Sequence, residues 1–413
     1  MKKENKTKKR LNKKSSNGIY LDYAATTPVR KEVMKAMMPY FGVHFGNPGS
    51  LHSFGQDAMS AIDSARERVA KLFEVEFRNI IFCGSATEAN NLALRGVIDS
   101  WKGKERPRVI ISSIEHESVL ETARVLEREK KIELVLLGVD KEGIILLDEL
   151  KKSLTQNTAL VSIMYVNNEV GSVQPIKEIS RIISDFKKTL TSNPYSLTPI
   201  FHTDAVQAFS YFDCSLDVLG VDLLTISGHK CGGPKGIGIL VSTPSLNLKT
   251  LTPNPYSLTP IITGGGQEFN LRSGTENVPT IIGCVEALSI AQKNRKKESV
   301  RIELLRKRFI KNFLKIFPES FVNGGEAHSP HIVNIQLIEI NREEFLTHAD
   351  LLGVALSSGS ACSARAHSES HVLSAMYGGN ATKLNGIRAS FGYNTTLKDI
   401  DNAFKYLSRM EEK

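Results

Sequence analysis

Long apolar runs are missing from this chain of 413 residues. None approaches the roughly 18–20 residues that a membrane-spanning helix requires, which excludes a helical membrane protein. Cysteine is scarce as well: Cys83, Cys214, Cys231, Cys284 and Cys362 are odd in number and widely spaced. No CxxC pair or Cys/His cluster offers a disulfide framework or a metal site, so a reducing compartment is expected, by default the cytoplasm. Net charge is lacking where it would matter. The formal charge is +9, but eight Lys/Arg against the single acid Glu4 in residues 1–17 account for +7 of it. The body carries only the remaining +2, which gives no reason to expect direct nucleic-acid binding. The 1–17 segment has neither the apolar stretch of a secretory signal nor an apolar face for a membrane surface. It reads as a disordered, solvated basic tail.

What is present is the mixture of a globular protein with a sizeable core, 41% hydrophobic and 23% charged, at a length that suits two domains. From about residue 57 helical and strand patterns alternate. Asp57–Phe73, Glu88–Ser100 and Glu117–Lys130 carry helical periodicity. Asn79–Cys83, Arg108–Ser112, Glu133–Val139, Ala159–Tyr165, Ile200–Thr203, Asp222–Ser227 and Ile237–Val241 read as strands. This interleaving predicts an α/β fold on a mostly parallel sheet, with sites at the C-terminal ends of its strands. After about residue 283 the texture changes to a charged helix, Gln292–Phe317, an alternating strand, His331–Ile340, and further short elements of a smaller α+β domain. One duplication stands apart: Lys188–Ile200 and Lys249–Ile261 are near-identical, differing only at Ser192 and Pro253. Rich in Pro, Ser and Asn, the copies read as surface-loop insertions.

Chemistry is written where Gly and polar residues directly follow an apolar run. Cys83-Gly-Ser-Ala-Thr87 ends a strand and opens a helix, a place where backbone N–H groups approach an anion; Ser85 or Thr87 there could equally be an N-cap. Ser227-Gly-His-Lys230 also ends a strand. Lys230 is a candidate Schiff-base amine, with Ser227 and His229 as phosphate-capable donors beside it. Asp204, 26 residues upstream at another strand end, could be a helix N-cap or the acid that would hold a pyridine nitrogen protonated beside such a lysine. Among the cysteines, Cys362 alone lies in a Gly/Ser-rich stretch, Ser357–Ser363. Cys284, Cys83 and Cys214 suit buried apolar positions, and Cys231 reads as structural.

Together with Tyr20–Pro28 (YLDYAATTP), Gly46–His52 (GNPGSLH), Tyr165–Gly171 (YVNNEVG), Gly264–Glu268, Arg272–Asn277 (RSGTEN) and Ser357–Cys362, these segments resemble the signatures of cysteine desulfurases of the NifS/IscS type. These are fold-type I pyridoxal-phosphate enzymes of the class-V aminotransferase group. The resemblance runs from about Ile19 to the C-terminus, and the longer loop around Cys362 places the chain with the group-I enzymes. It implies a large domain over 18–283 with a mostly parallel seven-stranded sheet, its first residues packing with the small domain over 284–413 that carries the cysteine loop.

The resemblance also implies roles. Lys230 bonds pyridoxal 5'-phosphate, Asp204 pairs with its ring nitrogen, Gln207 attends its phenolic oxygen and His116 stacks on the ring. Asn168 contacts the ring or the substrate. Ala86, Thr87, Ser227 and His229 hold the phosphate, joined by Thr275 from the other subunit of a homodimer. Arg388, in Ile387–Gly392, grips the α-carboxylate of L-cysteine. Cys362 takes up sulfur as a persulfide, helped by His116 or His367, and passes it to an acceptor protein for iron–sulfur clusters or tRNA thiolation. Two segments depart from the usual pattern: Cys83-Gly84-Ser85 stands for Thr-Ser-Gly, and Phe269-Asn270 for Arg-Gly. A selenocysteine lyase, another class-V aminotransferase and a silent docking subunit are the rivals. Cys362 argues against an aminotransferase, and the joint presence of Lys230, Asp204, Arg388 and Cys362 argues against a silent subunit.

Overall fold

The computed structural model describes residues 18–190, 198–244, 246, 258–359, 369–378 and 385–410. The basic tail, the middle of the first repeat copy, all but the last four residues of the second, His367 and Cys362 lie outside the described residues. A seven-stranded sheet dominates. In chain order after the short β1 (Ile19–Tyr20) come β2 (Ile80–Cys83), β3 (Arg108–Ser112), β4 (Glu133–Leu137), β5 (Thr158–Ser162), β6 (Ile200–Asp204), β7 (Leu223–Ser227) and β8 (Gly238–Ser242). Their spatial order is β2-β8-β7-β6-β5-β3-β4. Only β8 is antiparallel to its neighbours; the other pairings are parallel.

The sequence dictates this sheet through its two-residue period. Ile80 and Phe82 face one core, whereas Ile81 and Cys83 face another; Ile110 parts from Val109 and Ile111 in the same way. Strands buried on both faces need helices on both sides. Ser53–Phe73, called α1, and Ile176–Leu190 cover one face, and α2 (Ala86–Ser100) with α3 (Glu117–Arg128) covers the other.

A second, antiparallel sheet is built from β9 (Phe321–Asn323), β10 (Ile332–Leu337) and β12 (Asn385–Ser390), with β10 central. Its core is a phenylalanine cluster, Phe309, Phe313, Phe345, Phe391 and Phe404. The short β11 (Val354–Ala355) pairs in parallel with β1, so the first described residues join the last third of the chain.

Both sheets share one helix, α4 (Val278–Ile316), 39 residues long and hence about 58 Å. Val285 and Leu288 pack on the large core, Ile302 and Phe309 on the small one. The sequence pattern suggests a start near Gln292, and the stretch before it holds two poor helix formers, Pro279 and Gly283. Neither breaks it. Asn277 caps the N-terminus and Pro279 falls in the first turn, where no backbone donor is needed. At Gly283 a Cβ would lie 2.5 Å from Met37 Sδ, so close helix packing is what requires glycine there. Among the described residues no helix is long and apolar enough to cross a membrane, and no three His, Cys, Asp or Glu gather as metal ligands.

Candidate active site

β6 and β7 are parallel neighbours, and β2 and β7 run the same way because each opposes β8. Their C-terminal ends therefore open on one side of the sheet. There lies a cavity of about 400 Å³. Ala86, Thr87, His116, Asn168, Asp204, Gln207, Ser227, His229, Lys230 and Arg388 all line it. Of the sequence candidates among the described residues, only Thr275 sits elsewhere. It borders a second hollow with Tyr40, His44, Phe45 and Gly46.

Lys230 closes a 3₁₀ turn, Gly228–Lys230, directly after β7. Its Nζ donates to the carbonyls of Ala24 at 2.5 Å and Ala25 at 2.7 Å, inside the Tyr20–Pro28 motif. Asp204 ends β6 and is 6% exposed. Asn90 Nδ2 donates to its Oδ2 at 2.8 Å, and the Val206 N–H to its Oδ1 at 2.9 Å. His116 is the N-cap of α3: Ser118 N–H donates to its Nδ1 at 3.1 Å. That bond leaves Nδ1 without a proton, so Nε2 carries it. Burial holds this imidazole below its ordinary pKa, with Asp204 opposing and Lys230 assisting. It is a neutral ring, serving both as a cap and as part of the cavity wall.

At the start of α2, Ser85 is the N-cap and its Oγ takes the Glu88 N–H at 3.1 Å. Among the described residues no side chain takes the N–H groups of Ala86 and Thr87. His229 is also neutral, since burial and the adjacent lysines push its pKa down to about 3. Its Nδ1 lies 3.2 Å from Thr26 Oγ1.

Arg388 enters from β12 and is 2% exposed. Its Nη1 donates to the carbonyls of Asn168 at 2.7 Å and Gly359 at 2.9 Å, and its Nη2 to Asp22 at 2.7 Å and, more weakly, to Ser357 Oγ at 3.3 Å. Its Nε is buried without a partner. Gly359 lies three residues before Cys362, and His371, after the same segment, lines the cavity too. Ser370 donates to Glu169 Oε2 at 2.6 Å, and His371 Nε2 to the Glu115 carbonyl at 3.0 Å. The segment bearing Cys362 thus leaves and rejoins the described chain at the cavity wall.

Several residues here escaped the sequence reading. Glu115 is fully enclosed, and burial raises its carboxyl pKa to about 8 despite hydrogen bonds from Ser112 and Met164. Glu169, Asp22, His331 and His371 were not singled out either. Asp22 and Glu169 lie inside quoted motifs and Glu115 stands beside His116; His331 stands only as the first residue of a strand pattern, with no signal of its own. The four described cysteines are free and buried. Burial raises each thiol pKa, that of Cys231 to about 11.

The Phe269-Asn270 departure lies in a turn where Glu268, Phe269 and Asn270 hold φ of 47°, 60° and 68°. This left-handed run is costly for residues with a Cβ. The Arg66 fork pins it, meeting the Glu268 carboxylate with two 2.7 Å bonds, while the Phe82 N–H donates to the same carboxylate at 2.9 Å. The Phe269 ring lies 4.9 Å from the Arg66 guanidinium.

The class-V aminotransferase pattern matches residues 19–403. The chain belongs to that family. It is 41% identical over 398 residues to the cysteine desulfurase IscS of Dictyoglomus turgidum, covering 96% of this chain and 95% of that protein. To the putative cysteine desulfurase IscS 1 of Bacillus subtilis it is 38% identical over 392 residues, 94% of this chain and 97% of the other. A solved NifS-like protein superposes with a TM-score of 0.84 at 31% identity, covering 96% of this chain and all of that one.

Family members work with pyridoxal 5'-phosphate, and the cavity suits that group. Its polar end offers first-turn N–H groups of α2 with Ser227 and His229, its floor a buried carboxylate, and its wall an amine held by two carbonyls. At Gly236, on the wall with φ of 80°, no atom lies within 4 Å of where a Cβ would stand. The class-V fold thus presents room and donors in one place.

Proposed function

We propose that the protein is a pyridoxal-phosphate-dependent cysteine desulfurase, converting L-cysteine to L-alanine and carrying the released sulfur as a persulfide on Cys362. One observation carries the reading: Lys230, Asp204 and Arg388 share a cavity with Gly359 and His371, the described residues on either side of the Cys362 segment. Gly359 precedes Cys362 by three residues, a span of at most about 10 Å.

In this reading Lys230 bonds the cofactor, Asp204 meets its ring nitrogen, Gln207 its phenolic oxygen and His116 its face. Ala86, Thr87, Ser227 and His229 bind the phosphate. The bound cofactor supplies an electron sink for charge developing at the substrate Cα. Arg388 orients the substrate carboxylate, with Asn168 beside it. Lys230 Nζ takes the Cα proton. The Cys362 thiolate attacks the substrate sulfur. The Cβ–S bond breaks with its electron pair left on carbon; a proton added at Cβ, and the Cα proton returned by Lys230, complete alanine.

We read 18–283 as the cofactor-holding unit and 284–413 as the one supplying Arg388 and Cys362. Thr275 is assigned to the phosphate site of a second copy. In support, it borders a surface where Phe41, Val43, Phe45 and Phe54 are exposed, an apolar area that a homodimer would cover. Buried, unpaired thiols suit the cytoplasm, and the acceptor is a sulfur-carrying or iron–sulfur scaffold protein.

The decisive experiment is mass spectrometry of the loaded enzyme with L-cysteine and no acceptor. A gain of about 32 Da, one sulfur, is expected on the Cys362 peptide, and Cys362→Ser should bind L-cysteine yet release no sulfide. Sulfur on Cys231, or full turnover in Cys362→Ser, refutes the assignment.

A further inference from the structure

His331 stands one residue ahead of β10, 4% exposed, with its ring stacked on Tyr211 at 4.3 Å between centroids. Its Nδ1 lies 2.5 Å from Ser329 Oγ and its Nε2 3.1 Å from Gln207 Oε1. Gln207 Nε2 in turn donates to the Ala24 carbonyl at 3.0 Å. These contacts admit one arrangement of protons. The Ala24 oxygen only accepts, which turns the Gln207 nitrogen toward it and Oε1 toward His331. Oε1 also only accepts, so the ring proton sits on His331 Nε2. Nδ1 is then an acceptor, and Ser329 donates to it. Burial, assisted by Arg388 and Lys230, holds the imidazole pKa near about 3, so the ring stays neutral with a single N–H to give.

From this chain of contacts we infer that His331 is a positioning residue that locks the Gln207 amide with its nitrogen as the end offered to the cavity. Gln207 lines the cavity, and only one hydrogen of its Nε2 is engaged by Ala24. Without His331 only the Ala24 carbonyl still holds the amide, and a turned-over amide offers Oε1, an acceptor that repels an anionic oxygen. The inference rests on reading the cavity as a pyridoxal 5'-phosphate site in which Gln207 faces the phenolic oxygen. There, a fixed donor favours the ionised form of that oxygen over the neutral one.

The test is the absorption spectrum of the full chain loaded with pyridoxal 5'-phosphate, at fixed pH. The ratio of the visible band (ionised oxygen) to the near-ultraviolet band (neutral oxygen) should fall roughly tenfold in His331→Phe, which keeps the ring against Tyr211. His331→Gln, still able to donate an N–H, should restore most of it. In a Gln207→Leu background, His331→Phe should change nothing further. Ser329→Ala touches neither Gln207 nor the cavity and should move the ratio the same way; it decides the matter if His331→Phe does not fold. An unchanged ratio in the folded single variants, or an equal further fall in the Gln207→Leu background, overturns the inference. A wild type that takes up no cofactor overturns the cofactor reading and this inference with it, whereas one that binds the cofactor with no visible band overturns this inference alone.

Discussion

Replacing Arg388 by lysine should raise KM for L-cysteine by about 30-fold and leave kcat nearly unchanged. The guanidinium is almost wholly committed: Nη1 serves two carbonyls, Nη2 serves Asp22 and Ser357, and only Nε lacks a partner. A carboxylate gripped by this fork gains Nε outright but shares or displaces an existing partner at the second nitrogen. The net gain is therefore less than two full charge-assisted bonds, about 2 kcal/mol, and that is what a lysine, with no fork, forfeits. At 1.4 kcal/mol per decade the loss is roughly 30-fold. The contact is made equally in ground and transition states, so it appears in KM rather than kcat. Arg388→Ala is a harsher change, because Asp22 loses its cation; breaking a pair this enclosed costs about 3–5 kcal/mol. Initial rates of alanine formation against cysteine concentration, with melting curves for each variant, separate the two effects. A wild-type KM in Arg388→Lys would reduce Arg388 to a pin between Asp22 and Gly359.

Two further changes probe the scaffold. Glu115 binds a proton in the fold up to pH about 8 but releases it near 4.5 when unfolded, so its contribution to stability falls as pH rises across that window. Glu115→Gln should remove this slope, and its melting temperature should gain on wild type from pH 5 to pH 8; parallel melting curves refute the assignment. Glu268→Ala strands Arg66 and the Phe82 N–H in the interior, and a loss of about 3–5 kcal/mol is expected by denaturant unfolding. Arg66→Leu combined with Glu268→Leu should cost less than Glu268→Ala alone, and a larger loss would contradict the desolvation argument.

Much of the architecture was legible because buried strands such as Ile80–Cys83 and Leu223–Ser227 advertise themselves as short apolar runs ending in polar residues. Residues at or just beyond those strand ends, Ala86, Thr87, Ser227 and Lys230 among them, line the cavity. Less legible was whatever depended on a distant partner. Gly283 looks like a helix breaker until Met37 is seen against it, and Pro279 until its place in the first turn is known. His331 carries no local mark, since its contact with Gln207 spans 124 residues. Glu115 was passed over beside His116 because nothing nearby in sequence foretells complete burial. Arg388 stands between apolar neighbours that suit a buried strand, but its acidic partner, 366 residues away, leaves no local mark.

That last separation has a bearing on how the protein is made. A ribosome adding roughly 5–20 residues per second needs about 18–73 s to cover it. Throughout that interval Asp22 has been synthesised and Arg388 has not. Asp204, Lys230 and the opening of α2 all emerge earlier, so the residues assigned to the cofactor are complete while the one assigned to substrate selection is still untranslated. A nascent chain halted before β12 carries the residues of the cavity floor without their arginine and leaves the Asp22 carboxylate without the cation it pairs with in the fold.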